Sequence, residues 1–330
     1  MHLPLWVWIV TLTVVPAFLM FDVVMMSRRP HKPSMGECTR WLAFYVGAAI
    51  LFGIGIGTIS GWRYGTEFFA GWLTEYSLSV DNLFVFIIIM AKFGVPERFQ
   101  QMTLMAGIII AIVLRGLFIA AGATLINQFS WVFYLFGAFL VYTAIKLAKE
   151  GMDDDDDEEE FKENAFLTFV EKRFNATTSW EHGNKMFAHV DGRKVATPLF
   201  ITIIALGTTD LMFALDSIPA IFGLTSEAYI VFTANVFALM GLRQLYFLIG
   251  GLLKRLVYLS LGLSVLLAFI GVKLILHALH ENSLPFINGG HPMHQVPEIP
   301  IEMSLGAIVA ILAITTVASL LKTRKDNKAA

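Results

Sequence analysis

Nine stretches of about twenty mostly apolar residues divide this chain, each long enough to cross a bilayer as a helix. They run roughly over 3–26, 41–60, 68–91, 104–125, 131–147, 196–213, 228–249, 256–277 and 301–321. In hydrocarbon every backbone N–H and C=O must be satisfied internally, which leaves only helices and closed barrels. Barrel strands would read as alternating segments of about ten residues, and that pattern is absent here. Composition agrees: 56% of residues are hydrophobic and 15% charged, against about 25% charged in soluble domains. The expected fold class is an all-α polytopic membrane protein of nine transmembrane helices. The first segment follows Met1 without a basic leader, so it reads as a retained helix rather than a signal peptide. Cys38 is the single cysteine of the chain, so no internal disulfide or thiolate cluster can form. A net charge of −2 gives no basic surface for nucleic acid.

Lysine and arginine set the expected orientation. Arg28, Arg29, Lys32 and Arg40 fall in the first connection, Lys92 and Arg98 in the third, Lys254 and Arg255 in the seventh. The long fifth connection carries Lys146, Lys149, Lys162, Lys172, Arg173, Lys185, Arg193 and Lys194, and the tail carries Lys322, Arg324, Lys325 and Lys328. On the opposite side stands Arg63. This alternation predicts a multi-pass membrane protein with its N-terminus outside and its C-terminus in the cytoplasm. The fifth connection also holds Asp153–Glu160, eight consecutive acids, which self-repulsion keeps exposed. A flexible run of this kind reads as a solubilising linker before it reads as a metal site.

The middle of the chain matches itself. Thr74-Glu75 precedes Asp81-Asn82 by the same spacing that separates Thr209-Asp210 from Asp216-Ser217. Each pair opens a three-helix set whose second helix carries an apolar-flanked arginine, Arg115 or Arg243. The sets start on opposite membrane faces, the signature of inverted repeats with a site at their interface near mid-membrane. The expected organisation is two flanking helices (1–67), a first repeat (68–147), an acidic cytoplasmic linker (148–195) and a second repeat (196–278). An outer loop, last helix and basic cytoplasmic tail follow (279–330).

Ionisable groups in hydrocarbon are costly and usually functional. Glu75, Asp81, Asp210 and Asp216 qualify. Six residues of ideal helix rotate about 600°, leaving the members of each pair about 120° apart. Convergence therefore needs either local unwinding or a cavity faced from different walls. Pro219 removes the backbone bond to residue 215, which makes unwinding at 216–219 the expected device; the first repeat has Asn82 instead. Carboxylate, amide and hydroxyl oxygens suit Mg²⁺, Ca²⁺ and Mn²⁺. A structural acid–arginine network and a metal-free proton relay are the alternatives. Arg115 and Arg243 are expected to balance the acids. In the outer loop, His277 with His280 and His291 with His294 have spacings suited to peripheral metal capture; solvent-facing histidines are the plainer alternative.

Glu75-Tyr-Ser-Leu-Ser-Val-Asp81-Asn82-Leu83 and Asp210-Leu-Met-Phe-Ala-Leu-Asp216-Ser217-Ile-Pro219-Ala220 closely resemble the two signature stretches of the TerC family of integral membrane proteins. The likeness runs over about 69–279, with the outer helices matching the nine-helix type. The family is named from tellurium resistance, and its members are associated with Mn²⁺ export and with metal supply to proteins at the membrane. The resemblance implies a cation site of Glu75, Asp81, Asn82, Asp210, Asp216 and Ser217, and it favours Mn²⁺ as the transported ion. Tellurite itself is an anion that four membrane acids would repel. The expected activity is therefore secondary export of a divalent cation, exchanged for H⁺ or driven by the membrane potential. Its partners would be metal-receiving proteins and lipid. No Walker-type phosphate loop and no nucleophile set suggest an ATPase or another enzyme. The alternative that the resemblance also implies is a membrane-protein insertion or assembly factor.

Overall fold

The structure is a computed structural model; it describes residues 7–11, 13–14, 34–129, 131–150, 180, 185–190, 193–249, 258–282, 284–285 and 287–329. Among them, eight helices are long and apolar enough to cross a membrane, matching eight of the nine predicted segments. The first predicted segment lies largely outside the described residues, as does the eight-acid run. Its helical residues 7–11 still pack inward: Thr11 Oγ1 bonds the Tyr229 hydroxyl at 2.8 Å, and Trp8 meets the Tyr229 ring edge-on.

Helix α1 (Met35–Ser60) starts at Ser34, whose Oγ accepts from the Glu37 amide at 3.2 Å. It ends at Gly61, whose φ of +113° lets the chain reverse at once into α2 (Trp62–Lys92). The two backbones cross closely, because a Cβ on Gly65 would stand 2.9 Å from Gly57 Cα. Then follow α3 (Glu97–Gln128) and α4 (Val132–Glu150). A two-stranded antiparallel ribbon, β1 (Phe187–Val190) and β2 (Arg193–Ala196), closes the linker, a feature that helical periodicity did not predict. Thr197 accepts from the Phe200 amide to cap α5 (Pro198–Phe222), with Pro198 in the first turn, where its missing N–H costs nothing. The remaining helices are α6 (Ala228–Met240), α7 (Leu242–Ile249), α8 (Leu259–His280) and α9 (Ile301–Ala329).

One expectation needs correction. The helix bearing Asp216 does not unwind: α5 runs through Pro219 to Phe222. A proline deletes one bond, and the surrounding helices bury Ala220 and Ile221 completely, so the rest of the ladder holds. The predicted span 228–249 is found as Ala228–Leu248, made of α6 and α7 with a break at Gly241. Helices α2 and α3 also begin about two turns before their apolar windows. Such windows mark hydrocarbon depth, whereas backbone bonding continues into polar flanks.

Packing is reciprocal between the two three-helix sets. Helix α2 packs on α6, α3 packs on α5, and α4 packs on α8. The last pair meets at two glycines. A Cβ on Gly137 would stand 2.8 Å from Gly271 O, and one on Gly271 would stand 3.0 Å from Gly137 O. Close backbone approach at small residues is how membrane helices gain dispersion contact without help from water. Helix α6 is enclosed on nearly every side, whereas α9 shows most of its surface to the outside. Phe52, Phe68 and Phe237 join α1, α2 and α6 with ring centroids 4.7 to 5.9 Å apart.

Gly137→Val and Gly271→Val should each overpack the α4–α8 crossing by about 1–3 kcal/mol and lower the thermal unfolding midpoint in detergent. Gly55→Ala, where an added Cβ meets nothing within 4 Å, should leave the midpoint unchanged or raise it. Equal midpoints for all three variants would refute the glycine crossing.

Candidate cation site at mid-membrane

Arg115 lies in the middle of α3 with only 1% of its surface exposed. A guanidinium at that depth loses its hydration, a penalty of several kcal/mol unless acceptors meet it. Three other helices supply them. From α5, Asp210 accepts two bonds in fork geometry, Nε to Oδ2 at 2.8 Å and Nη2 to Oδ1 at 3.1 Å. From α2, Glu75 Oε1 accepts from Nη1. From α6, Asn235 Oδ1 accepts from the same Nη1 at 2.8 Å, and Ser217 Oγ on α5 lies 3.2 Å from it. Second contacts orient these acceptors. Ser79 donates to Glu75 Oε1 at 3.1 Å, and the Asn235 amide nitrogen donates to Val231 O at 3.1 Å.

One polar atom in this place stands apart. Glu75 Oε2 is fully buried and has no hydrogen-bond partner among the described residues. A buried carboxylate oxygen left unmet costs free energy, so such an atom calls for an explanation. Glu75 and Asp210 contribute two negative charges and Arg115 one positive, leaving the described cluster one negative charge in excess.

Of the residues singled out from the sequence, Glu75, Asp210, Ser217 and Arg115 are brought together. The convergence is of walls around a shared centre, with both helices intact. Asn82 is buried on α2. The side chains of Asp81 and Asp216 lie outside those described; their backbones place them one and two-thirds turns beyond Glu75 and Asp210, about 9 Å along each axis. Among the described residues no three of His, Cys, Asp and Glu gather as a metal-binding group.

Arg243 stands elsewhere. It lines a crevice with Glu37, Cys38, Trp41, Gln101, Gln244 and Phe247, near the start of α1. The Gln244 amide is best satisfied with its oxygen toward Arg243 Nη2 at 2.7 Å and its nitrogen toward Met240 O at 3.3 Å. The two arginines therefore match in sequence position but not in surroundings. Asn235 joins the site from α6, and its signal in the sequence is a lone amide in an apolar helix.

The opposite end of the bundle holds an open cavity of about 570 Å³. Glu67, only 4% exposed, lines it and was not singled out from the sequence. It accepts from Arg63 Nε at 3.0 Å and from Thr225 Oγ1 at 2.6 Å. Lys273, His277, Glu298 and Glu302 line the same cavity, and Lys273 Nζ donates to Ser304 on α9 at 2.9 Å. The outer histidines pair differently from their sequence spacing. His277 Nδ1 lies 3.0 Å from Glu298, and its Nε2 lies 3.6 Å from Glu281. His280 instead meets the ring of His294, with centroids 5.2 Å apart, while the His291 carbonyl accepts from Asn282 and Asn288.

Comparison with known proteins groups this chain with integral membrane proteins. The profile described as "Integral membrane protein TerC family" covers residues 60–327, wider than the stretch that the two motifs mark. An uncharacterized membrane protein of Mycobacterium tuberculosis is 46% identical over 318 residues, covering 96% of this chain and 80% of that protein. An uncharacterized membrane protein of Myxococcus xanthus is 35% identical over 317 residues, covering 96% and 92% of the two chains. An Escherichia coli K12 protein provisionally named membrane-bound redox modulator Alx is 33% identical over 311 residues, covering 92% and 90%. No solved structure matches. With membrane-length helices, the paired acidic motifs and a profile match across most of its length, this chain belongs to the TerC family of integral membrane proteins.

Proposed function

We propose that this protein is a secondary carrier that exports divalent metal cations, foremost Mn²⁺, from the bacterial cytoplasm. The observation that carries this reading is the meeting of Glu75 and Asp210, from two different three-helix sets, around one buried arginine at mid-membrane. Buried acids of this kind, with one carboxylate oxygen unpartnered, suit a passenger cation better than a permanent structural core. Hard oxygen donors favour Mg²⁺, Ca²⁺ or Mn²⁺, and family membership favours Mn²⁺. Asp81, Asn82 and Asp216 complete the proposed path on the same two helices. The reciprocal packing of α2 with α6 and of α3 with α5 supports the inverted-repeat reading, which places an alternating-access site between the halves. The basic-residue pattern supports a cytoplasmic C-terminus in the bacterial inner membrane. The cavity with Glu67 would then face outward and receive the released ion. Transport is driven by protons or by the membrane potential. Metal-receiving proteins are the natural partners of such a carrier.

The redox name belongs to the Escherichia coli relative. In this chain Cys38 is the single cysteine, so a dithiol–disulfide couple cannot form within it.

Purified protein in liposomes should move Mn²⁺, and Asp81→Asn, Asp216→Asn and Glu75→Gln should each slow flux by about tenfold or more, the equivalent of about 1.4 kcal/mol. An imposed pH gradient should change the rate if protons are the counter-ion. A folded wild type that moves no divalent cation under either gradient would sink the carrier reading and restore the assembly-factor alternative. Unchanged flux in all three variants would leave transport standing and refute the site.

Stability should respond to charge balance separately from flux. Asp210→Asn keeps Glu75 as the counter-charge of Arg115 but loses the charge-assisted fork on Nε and Nη2, and should cost about 1.5–3 kcal/mol, seen as a lower unfolding midpoint in detergent. Arg115→Gln strands both carboxylates and should cost more, about 3–5 kcal/mol, and adding Asp210→Asn to it should recover part of that loss. A double variant less stable than Arg115→Gln alone would show that the pair is not coupled.

A further inference from the structure

The five acceptors around Arg115 equal its five N–H donors in number but crowd onto one nitrogen. Its Nη1 carries two hydrogens, yet Glu75 Oε1, Asn235 Oδ1 and Ser217 Oγ all lie within hydrogen-bonding reach. Glu75 Oε2 is buried beside this group without a partner. With both Asp210 oxygens, the centre is an oxygen-rich, net-negative cage with no access to water. That donor set is the one a hard divalent cation takes, typically six or more oxygens from carboxylate, amide and hydroxyl groups. Here a side-chain cation holds it.

Resting on the carrier reading, we propose that Arg115 is a tethered counter-cation, its guanidinium filling the place of the transported ion between Glu75 and Asp210. Metal then binds only by displacing the guanidinium from those carboxylates. The tether fixes where the displaced group can go, and Asn235 Oδ1 and Ser217 Oγ are neutral acceptors that can keep it. When metal leaves, Arg115 returns and offsets one of the two acid charges without the site taking up a proton. The ion-free carrier therefore never exposes a bare pair of carboxylates to the low-dielectric interior, where their desolvation would block its return.

A built-in competitor lowers apparent affinity by the fraction of protein whose site is free. Mn²⁺ binding to the purified full-length protein, measured by titration calorimetry in detergent, should therefore tighten by about tenfold in Arg115→Gln. Arg115→Lys keeps the charge but offers three donors in place of five. It competes less well, so binding should tighten by about threefold. In liposomes, Arg115→Gln should raise the ratio of Mn²⁺/Mn²⁺ exchange to net efflux, because the ion-free return step loses its cation.

Weaker binding in either folded variant would mean that Arg115 only holds the site together, and would overturn the proposal. Tighter binding in Arg115→Gln with none in Arg115→Lys would reduce its role to a long-range repulsive field, which also overturns it. Should Arg115→Gln fail to fold, the lysine variant decides alone. A wild type that binds and transports no Mn²⁺ would remove the carrier reading itself, and this inference with it.

Discussion

A guanidinium sealed from water cannot be left short of acceptors, and Arg115 imposes that demand on four helices at once. Its fork on Asp210 ties α3 to α5, its bond to Glu75 ties α3 to α2, and Asn235 brings in α6. None of these partners is optional in a low dielectric, because losing one strands a charge that hydrocarbon will not solvate. Dispersion between apolar helices is tolerant of sliding and rotation by comparison. The polar centre therefore fixes the register of the four core helices, and the apolar contacts fill in around it.

The rest of the bundle follows from where that centre sits. The glycine crossing of α4 on α8 lets the third helices of the two sets approach without a steric gap. The aromatic cluster of Phe52, Phe68 and Phe237 holds α1 against the same α2–α6 pair that supplies Glu75 and Asn235. Helix α9 packs on α2 and α8 at the periphery, joined to α8 through Lys273 and Ser304. Polar groups thus occur at three levels: a crevice around Arg243, the sealed centre, and an open cavity around Glu67.

A good part of this was legible beforehand. Membrane helices must satisfy their own backbones, so length and apolarity alone located the eight described spans. Glu75, Asp210, Ser217 and Arg115 stood out because ionisable or polar groups in apolar runs have few reasons to exist. Asn235 and Glu67 do not stand out in the same way, the first as a single amide, the second because it sits near a helix end where acids are ordinary. Pro219 misled, since the loss of one backbone bond does not open a helix whose neighbours hold it on both sides. The outer histidines misled in pairing, because a loop that folds back on a helix end brings together residues that local spacing keeps apart.

The sequence by itself determined the class, the spans, the acids and the family, because those follow from how each segment partitions between water and lipid. Only the tertiary structure decided which acids meet which arginine. Arg115 finds Glu75 across 40 residues, Asp210 across 95 and Asn235 across 120. Arg243, alike in its apolar setting and place in its repeat, goes to a different crevice. Partitioning acts on one segment at a time, whereas neutralising a buried charge requires several segments to arrive together. That second condition is written in no local stretch of the chain.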